Sequence, residues 1–220
     1  MIAPVISPLT DNVALAYVRG FMRGQKRGAM DSGLCVNITN DGCMCAAACF
    51  FEPYDAEKHS NGTLQLTLLE HGMTKSLSAA LIQAHDDAAQ YRSGDFVESF
   101  EQLVGERLGK QLQPIASPGL TDDVALAYVR GFMRGQKRGA FDDDACVNIT
   151  NDGCMCGVAC FFDAHTARTL GNAVLREKLH AYGVSEGVTL GIVSAHDRAA
   201  EGNPADYIVN FEAYLRKHTC

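Results

Sequence analysis

Cysteine is the residue type most able to do chemistry in this 220-residue chain, because thiolates bind metals and act as nucleophiles. The chain has nine cysteines, and eight of them form two series with the spacing C-x7-C-x-C-x3-C. The first series is Cys35, Cys43, Cys45 and Cys49, and the second is Cys146, Cys154, Cys156 and Cys160. This spacing differs from the paired C-x2-C pattern of structural zinc sites.

The spacing also limits which thiols could share a metal ion. If the cysteines lie along a β-strand, Cys43 and Cys49 are about 20 Å apart, too far to bind one ion. If instead Cys45–Cys49 is helical, these two thiols face the same way. The pattern favours thiols buried in the core. Two alternatives stay open, a zinc or iron site and a redox or nucleophilic thiol. The candidate metal ligands are Cys43, Cys45, Cys154, Cys156, His85 and His196.

Histidine is the second candidate for chemistry. His85 and His196 occupy corresponding positions of the two halves, and each is followed by an aspartate, Asp86 or Asp197. A Cys–His nucleophile pair would use such residues, but the apolar surroundings favour a buried, hydrogen-bonded histidine. The chain has no phosphate loop, Gly-rich nucleotide fingerprint or H-E-x-x-H motif. We therefore predict no catalytic residue and no cofactor, and we favour a non-enzymatic protein without excluding an enzyme.

The segments that must position these residues are repeated. The 39 residues from Val13 to Phe51 recur from Val124 to Phe162 with six substitutions, at an offset of 111 positions. The same offset aligns Ala84-His85-Asp86 with Ala195-His196-Asp197. We predict an internally duplicated chain with a first copy at 1–109, a linker at 110–119 and a second copy at 120–220.

Each copy is predicted to have an α+β fold. A helix starts at Thr10 or Asp11 and runs to about Arg27. An Asn-Asp-Gly turn at 40–42 joins strands at 34–39 and 43–51, which places Cys43, Cys45 and Cys49 on one strand. Two or three helices follow, and two of them begin at Thr74 (Ser185) and Asp95 (Asp206). Because a lone hairpin is marginally stable, we expect both hairpins in one antiparallel sheet about a pseudo-twofold axis.

The first helix carries two contrasting faces. Ala16, Gly20, Gly24 and Gly28 lie four residues apart, which predicts close approach of the matching helix through Ala127, Gly131, Gly135 and Gly139. Basic residues occupy the opposite face, and we expect them at the surface, binding another protein or an anionic ligand. They are Arg19, Arg23, Lys26 and Arg27 in the first copy, and Arg130, Arg134, Lys137 and Arg138 in the second.

Composition narrows the class of protein. The net charge is −7 and 47% of residues are hydrophobic, so a folded domain is expected and nucleic acid is possible but not favoured. We expect no membrane span or signal peptide, and a cytoplasmic location. The predicted function is a non-enzymatic interaction protein, a pseudo-dimeric scaffold with two basic helix faces and cysteine-rich hairpins. The alternative is a thiolate metal-binding or thiol-redox protein that uses the cysteine clusters with His85 and His196.

Overall fold

A computed structural model describes residues 2–91, 95–142 and 145–219, and it is mostly helical. The first half contains α1 (Asp11–Gln25), β1 (Met30–Asp31), β2 (Leu34–Cys35), α2 (Pro53–Lys58), α3 (Asn61–Glu70), α4 (Lys75–Tyr91) and α5 (Phe96–Arg107). The second half contains α6 (Asp122–Gln136), β3 (Phe141–Asp142), β4 (Ala145–Cys146), α7 (Ala164–Thr169), α8 (Asn172–Tyr182), α9 (Glu186–Ala200) and α10 (Tyr207–Thr219). The α+β class is confirmed.

The two strand pairs do not form the single sheet that we expected. β1 pairs with β2, and β3 pairs with β4, in two separate antiparallel sheets. The turn between β1 and β2, at residues 32–33, begins eight residues ahead of the turn that we predicted at 40–42. Strands of two residues offer too short an edge to pair with each other across the molecule.

The Asn-Asp-Gly turn itself is confirmed. Gly42 has a left-handed backbone with φ of +77°, and Thr39 N–H donates to the Cys43 carbonyl at 2.9 Å. Pairing beyond the turn is limited to one isolated bridge between Ile38 and Met44, which Ile149 and Met155 repeat. The predicted strands at 34–39 and 43–51 are therefore wrong over most of their length.

The cysteines consequently do not lie along one strand. After Cys45 the backbone coils, Cys49 N–H donates to the Cys45 carbonyl at 3.0 Å, and Ala48–Phe50 forms a 3-10 helix. Cys156 and Cys160 repeat this bond at 3.1 Å. The helical alternative for Cys45–Cys49 is the one that the structure has. The second copy has the same turn, although Gly157 and Val158 replace two alanines there.

α1 and α6 cross so closely that their backbones are almost in contact. A Cβ atom built on Gly20 would lie 2.1 Å from the Tyr128 carbonyl oxygen, and one on Gly131 would lie 2.0 Å from that of Tyr17. Gly24 and Gly135 are equally tight, at 2.2 Å from the carbonyls of Phe132 and Phe21. The predicted pairing of these helices is confirmed. Glycine is required here because any side chain would force the backbones apart.

The glycine contact ends with the helix. Lys26, in a left-handed conformation with φ of +66°, caps α1 one residue before the end we predicted. Gly28 therefore lies outside the crossing, and its Cβ would meet Ala89 on α4 at 2.3 Å instead of the partner helix. Gly139 is placed in the same way against Ala200. These two glycines pack each half's own helices together.

Several predicted helix starts are confirmed. Thr10, Asp95 and Ser185 each accept a backbone N–H of the following turn, as an N-cap does. Asp206 is an exception. It ends a short 3-10 helix (Pro204–Asp206) that runs directly into α10, and Asn203 makes the capping bonds instead.

Among the described helices, none has the length and apolar character needed to cross a membrane. The eight cysteines of the two series are all free thiols. The ninth, Cys220, lies outside the described residues.

The α1–α6 crossing yields a stability prediction. We expect Gly20→Ala to lower the free energy of unfolding by about 2 kcal/mol or more, because the added methyl group overlaps a backbone carbonyl. Gly187→Ala is the matched control, since it lies inside a helix with nothing within 4 Å of the new Cβ. It should be neutral or stabilising by up to about 1 kcal/mol. Urea unfolding measures both, and equal effects would contradict the packing.

Candidate functional site

The basic residues of α1 and α6 turn inward more than the sequence suggests. Arg19 is only 7% exposed and donates from Nε to Glu101 on α5 at 3.0 Å. Arg130, its counterpart, pairs with Glu212 on α10 at 2.9 Å. The predicted surface position is wrong for both, because a third helix in each half covers the face opposite the glycines.

Arg23 and Arg134 cross between the halves. Arg23 donates to the Tyr128 hydroxyl at 2.9 Å and to the Phe162 carbonyl at 3.4 Å. Arg134 donates to the Phe51 carbonyl at 3.4 Å and pairs with Glu52 at 3.2 Å. Both are partly buried, so their predicted exposure is wrong too. Replacing them with glutamine would remove bonds between the two halves.

The remaining four basic residues are exposed, as expected. Lys26 donates to the Gly153 carbonyl at 3.0 Å, and Lys137 to that of Gly42 at 2.6 Å. Arg27 pairs with Asp41 in its own turn. Arg138 repeats that pair with Asp152. All four therefore have partners within the chain, and surface ion pairs of this kind contribute little stability.

His85 and His196 lie at a cluster that includes a different cysteine from those we selected. The ligand atoms of Cys35, His85 and Asp86 lie within 4.8 Å of one another, as do those of Cys146, His196 and Asp197. Cys43, Cys45, Cys154 and Cys156 belong to neither of these two clusters. The exact recurrence of Ala-His-Asp at the 111-residue offset was the signal for the aspartates, but no sequence feature linked Cys35 to them.

The hydrogen bonds of His85 fix its protonation. Its Nε2 accepts the backbone N–H of Ala29 at 3.1 Å, and its Nδ1 lies 3.0 Å from Asp86. Because an amide N–H can only donate, Nε2 is unprotonated, and Nδ1 carries the proton that it shares with Asp86. His196 repeats both bonds, at 3.1 Å and 3.0 Å. Neither ring keeps a free lone pair for a metal ion or for deprotonating a thiol.

The thiols of these clusters are held protonated. Partial burial and the adjacent Asp86 carboxylate raise the pKa of Cys35 to about 12, and burial with Asp197 does the same for Cys146. Burial works to raise the pKa of Asp86, but hydrogen bonds from His85 and Cys35 outweigh it and lower that pKa. Burial also raises the pKa of Cys45, Cys49, Cys156 and Cys160. A protonated thiol is a poor nucleophile and metal ligand, so each cluster fits a structural tie between a hairpin and a helix.

An open cleft of about 1210 Å³ between the halves is the larger candidate site. One wall carries Arg19, Arg23 and residues of α5, and the other carries the end of the second cysteine segment, including Phe161 and Phe162. Residues 111, 112 and 114–116 also line it. The cleft therefore joins both halves and the segment that connects them.

Charge in the cleft is nearly balanced. Five basic and four acidic residues line it, namely Arg19, Arg23, Lys26, Arg168 and Lys178 with Asp95, Glu98, Glu101 and Asp163. Arg19 is the buried one, and only its Nε is bonded. Among the described residues, its two terminal guanidinium nitrogens have no hydrogen-bond partner. Such balance does not favour a polyanion, but the terminal nitrogens of Arg19 open to the cleft as donors for a ligand.

Comparison of the chain with protein-family models, with curated proteins and with solved structures finds no match. The site must therefore be interpreted from its own geometry.

The thiol clusters give a chemical prediction. Iodoacetamide at pH 8 should alkylate Cys146 slowly although this residue is exposed. A thiol with a pKa of about 12 instead of 9.0 has a thiolate fraction lower by about a thousandfold. Asp197→Asn removes the charge that raises this pKa and should speed the alkylation of Cys146, while Cys35 in the same chain serves as control. Mass spectrometry of the labelled peptides measures both rates. Alkylation of Cys146 as fast as in urea would contradict the protonated-thiol assignment.

Proposed function

We propose that this chain is a non-enzymatic binding protein that holds a segment of another protein in the cleft between its halves. The observation that carries the proposal is Arg19. The Arg19 side chain is only 7% exposed, and its terminal nitrogens, which have no partner among the described residues, open into a cleft of about 1210 Å³. Carbonyl oxygens of a bound segment can accept from these donors in place of solvent.

The proposal includes the architecture expected from the sequence. It takes the halves, 1–109 and 120–220 with the linker 110–119, as copies of one unit arranged as a pseudo-dimer. Equivalent contacts within the two halves support this, since Tyr17 and Tyr128 donate to the carbonyls of Cys49 and Cys160 at 2.9 and 3.0 Å. The bonds of Lys26 and Lys137 run between the halves and are reciprocal.

A protein partner fits the cleft better than an anion does. The cleft has nearly as many acidic as basic residues, and the chain as a whole carries −7, so a nucleic acid or polyphosphate would be repelled over most of the surface. Within the proposal the protein works in the cytoplasm. The free thiols of the two cysteine series suit that reducing compartment.

The alternative of a thiolate metal-binding or thiol-redox protein has less support. It needs deprotonated thiols and an available histidine nitrogen, whereas both ring nitrogens of His85 are hydrogen-bonded and the pKa of Cys35 is raised to about 12.

A displayed random peptide library tests the binding function. Selection against the intact chain should enrich peptides whose binding is lost in Ala164→Trp, which places a large side chain in the cleft. Ala173→Trp is the matched control, because Ala173 is also exposed near a helix start but does not line the cleft. Thermal denaturation verifies that both variants fold. A selection without enrichment, or peptides that bind Ala164→Trp unchanged, would refute the proposal.

A further inference from the structure

The residues that correspond to those of the cleft form a second surface, and a segment of the chain itself covers it. On the other side of the molecule, the segment Ile2–Ser7 crosses the matching surface between Phe50 of the first half and Arg130 of the second. Val5 N–H donates to the Phe50 carbonyl at 2.7 Å, and the Val5 carbonyl accepts from Arg130 Nη2 at 2.9 Å. Val5 thus bonds both the end of the first cysteine segment and the arginine of the opposite helix. It uses only its own backbone N–H and carbonyl.

The cleft has the corresponding arginine and the corresponding carbonyl group, but no residue there makes the bonds that Val5 makes. Arg19 and Phe161 stand 111 positions from Arg130 and Phe50. Within the described parts of the chain, the Phe161 carbonyl accepts no hydrogen bond, and the terminal nitrogens of Arg19 donate none. A donor and an acceptor therefore remain at the places where Val5 closes the other half.

The connecting segment does not fill that place. Residues 114–118 resemble residues 4–8 at an offset of 110, but Ser117 N–H donates to the Ile115 carbonyl at 3.1 Å, which folds the backbone around Ala116. The two segments follow the same path again at Leu9 and Leu120, whose N–H groups donate to the carbonyls of His71 and Tyr182. Before that point the two paths differ, and Ile115 and Ala116 of the connecting segment line the cleft.

The parts of the two sites that the repeated blocks supply are closely matched. The blocks differ at six of 39 positions, none of which is a cleft-lining residue. The apolar part of the cleft includes Phe132, Ile149 and Met155, and the corresponding residues Phe21, Ile38 and Met44 are unchanged. The lining outside the blocks differs, since Arg168 and Lys178 correspond to Glu57 and Thr67. The groups around the Val5 position are therefore matched in the cleft.

We propose that the cleft binds an uncharged, apolar peptide segment of a partner protein through one residue. This residue donates its N–H to the Phe161 carbonyl and accepts from the Arg19 guanidinium with its carbonyl. The inference rests on the proposed function and names the partner chemistry. The template segment Ile-Ala-Pro-Val-Ile-Ser carries no charged side chain, in keeping with the balanced charge of the cleft. A second copy is a weaker candidate, because its own Ile2–Ser7 segment is already bound within its chain.

Fluorescence anisotropy with a labelled acetyl-IAPVIS-amide peptide tests the inference on the full chain. The peptide should bind the wild type and lose about tenfold or more in affinity when its valine is N-methylated, since this removes one buried hydrogen bond. N-methylation of its alanine is the control, because Ala3 makes no backbone hydrogen bond within the described residues.

Two matched lysine variants determine whether the peptide binds at Arg19 or at Arg130. Arg19→Lys keeps the charge beside Glu101 but loses the second nitrogen, so it should weaken peptide binding by about tenfold or more. Arg130→Lys should leave the affinity unchanged. If Arg130→Lys alone weakens binding, the peptide displaces the chain's own segment and the inference is wrong.

The remaining outcomes are also decisive. Absence of peptide binding to the wild type, or equal binding of the two N-methylated peptides, would overturn the backbone-mediated mode. A concentration-dependent dimer that Arg19→Lys abolishes would assign the cleft to a second copy and overturn the choice of partner. Library peptides that depend on Ala164 but not on Arg19 would leave the binding function standing and reject this inference alone.

Discussion

The backbone contact between α1 and α6 is the constraint on which the rest of the structure depends. Gly20 and Gly131 bring each helix within reach of the other's carbonyl groups, a distance that no other residue type permits. At this separation Arg23 reaches the Tyr128 hydroxyl of the opposite half. Each cysteine segment is consequently held by side chains of both helices. The two halves form one core instead of two domains that merely touch.

Because of this arrangement, the covered surface on one side of the molecule can be compared directly with the open cleft on the other. The crossing presents two closely similar surfaces, and each is an arginine of one half facing the end of a cysteine segment of the other. A chain segment that precedes α1 covers one surface through Val5. The segment that precedes α6 comes from α5 and folds back on itself at Ala116. The cleft therefore results from the order of the segments along the chain, because different segments pack against the two near-identical blocks.

Features set by neighbouring residues could be predicted from the sequence. The glycine spacing gave the helix contact, Thr10 the start of α1, and Asn-Asp-Gly the turn at Gly42. These depend on backbone geometry over a few positions. The length of the strands could not be predicted, because alternating apolar residues are equally compatible with a buried coil. Cys49 shows this, since its segment is fully buried yet forms a helical turn.

Features set by distant residues were missed. Arg19 lies on the polar face of its helix, and only Glu101, 82 residues away, makes its burial possible. His85 was recognised as buried and hydrogen-bonded, but its backbone partner Ala29, 56 residues away, and the nearby Cys35 are distant in the sequence. Charge pairing over such separations leaves no periodic pattern in the sequence. The cleft was unpredictable for the same reason, because its lining comes from α1 and α5 of one half and from α6, α7 and α8 of the other.

Differential scanning calorimetry of the full chain tests the central claim most directly. If the α1–α6 contact joins both halves in one core, the chain should unfold in a single transition whose van't Hoff enthalpy equals the calorimetric enthalpy. Two resolved transitions, or a calorimetric enthalpy about twice the van't Hoff value, would show that the halves unfold independently and would contradict the account.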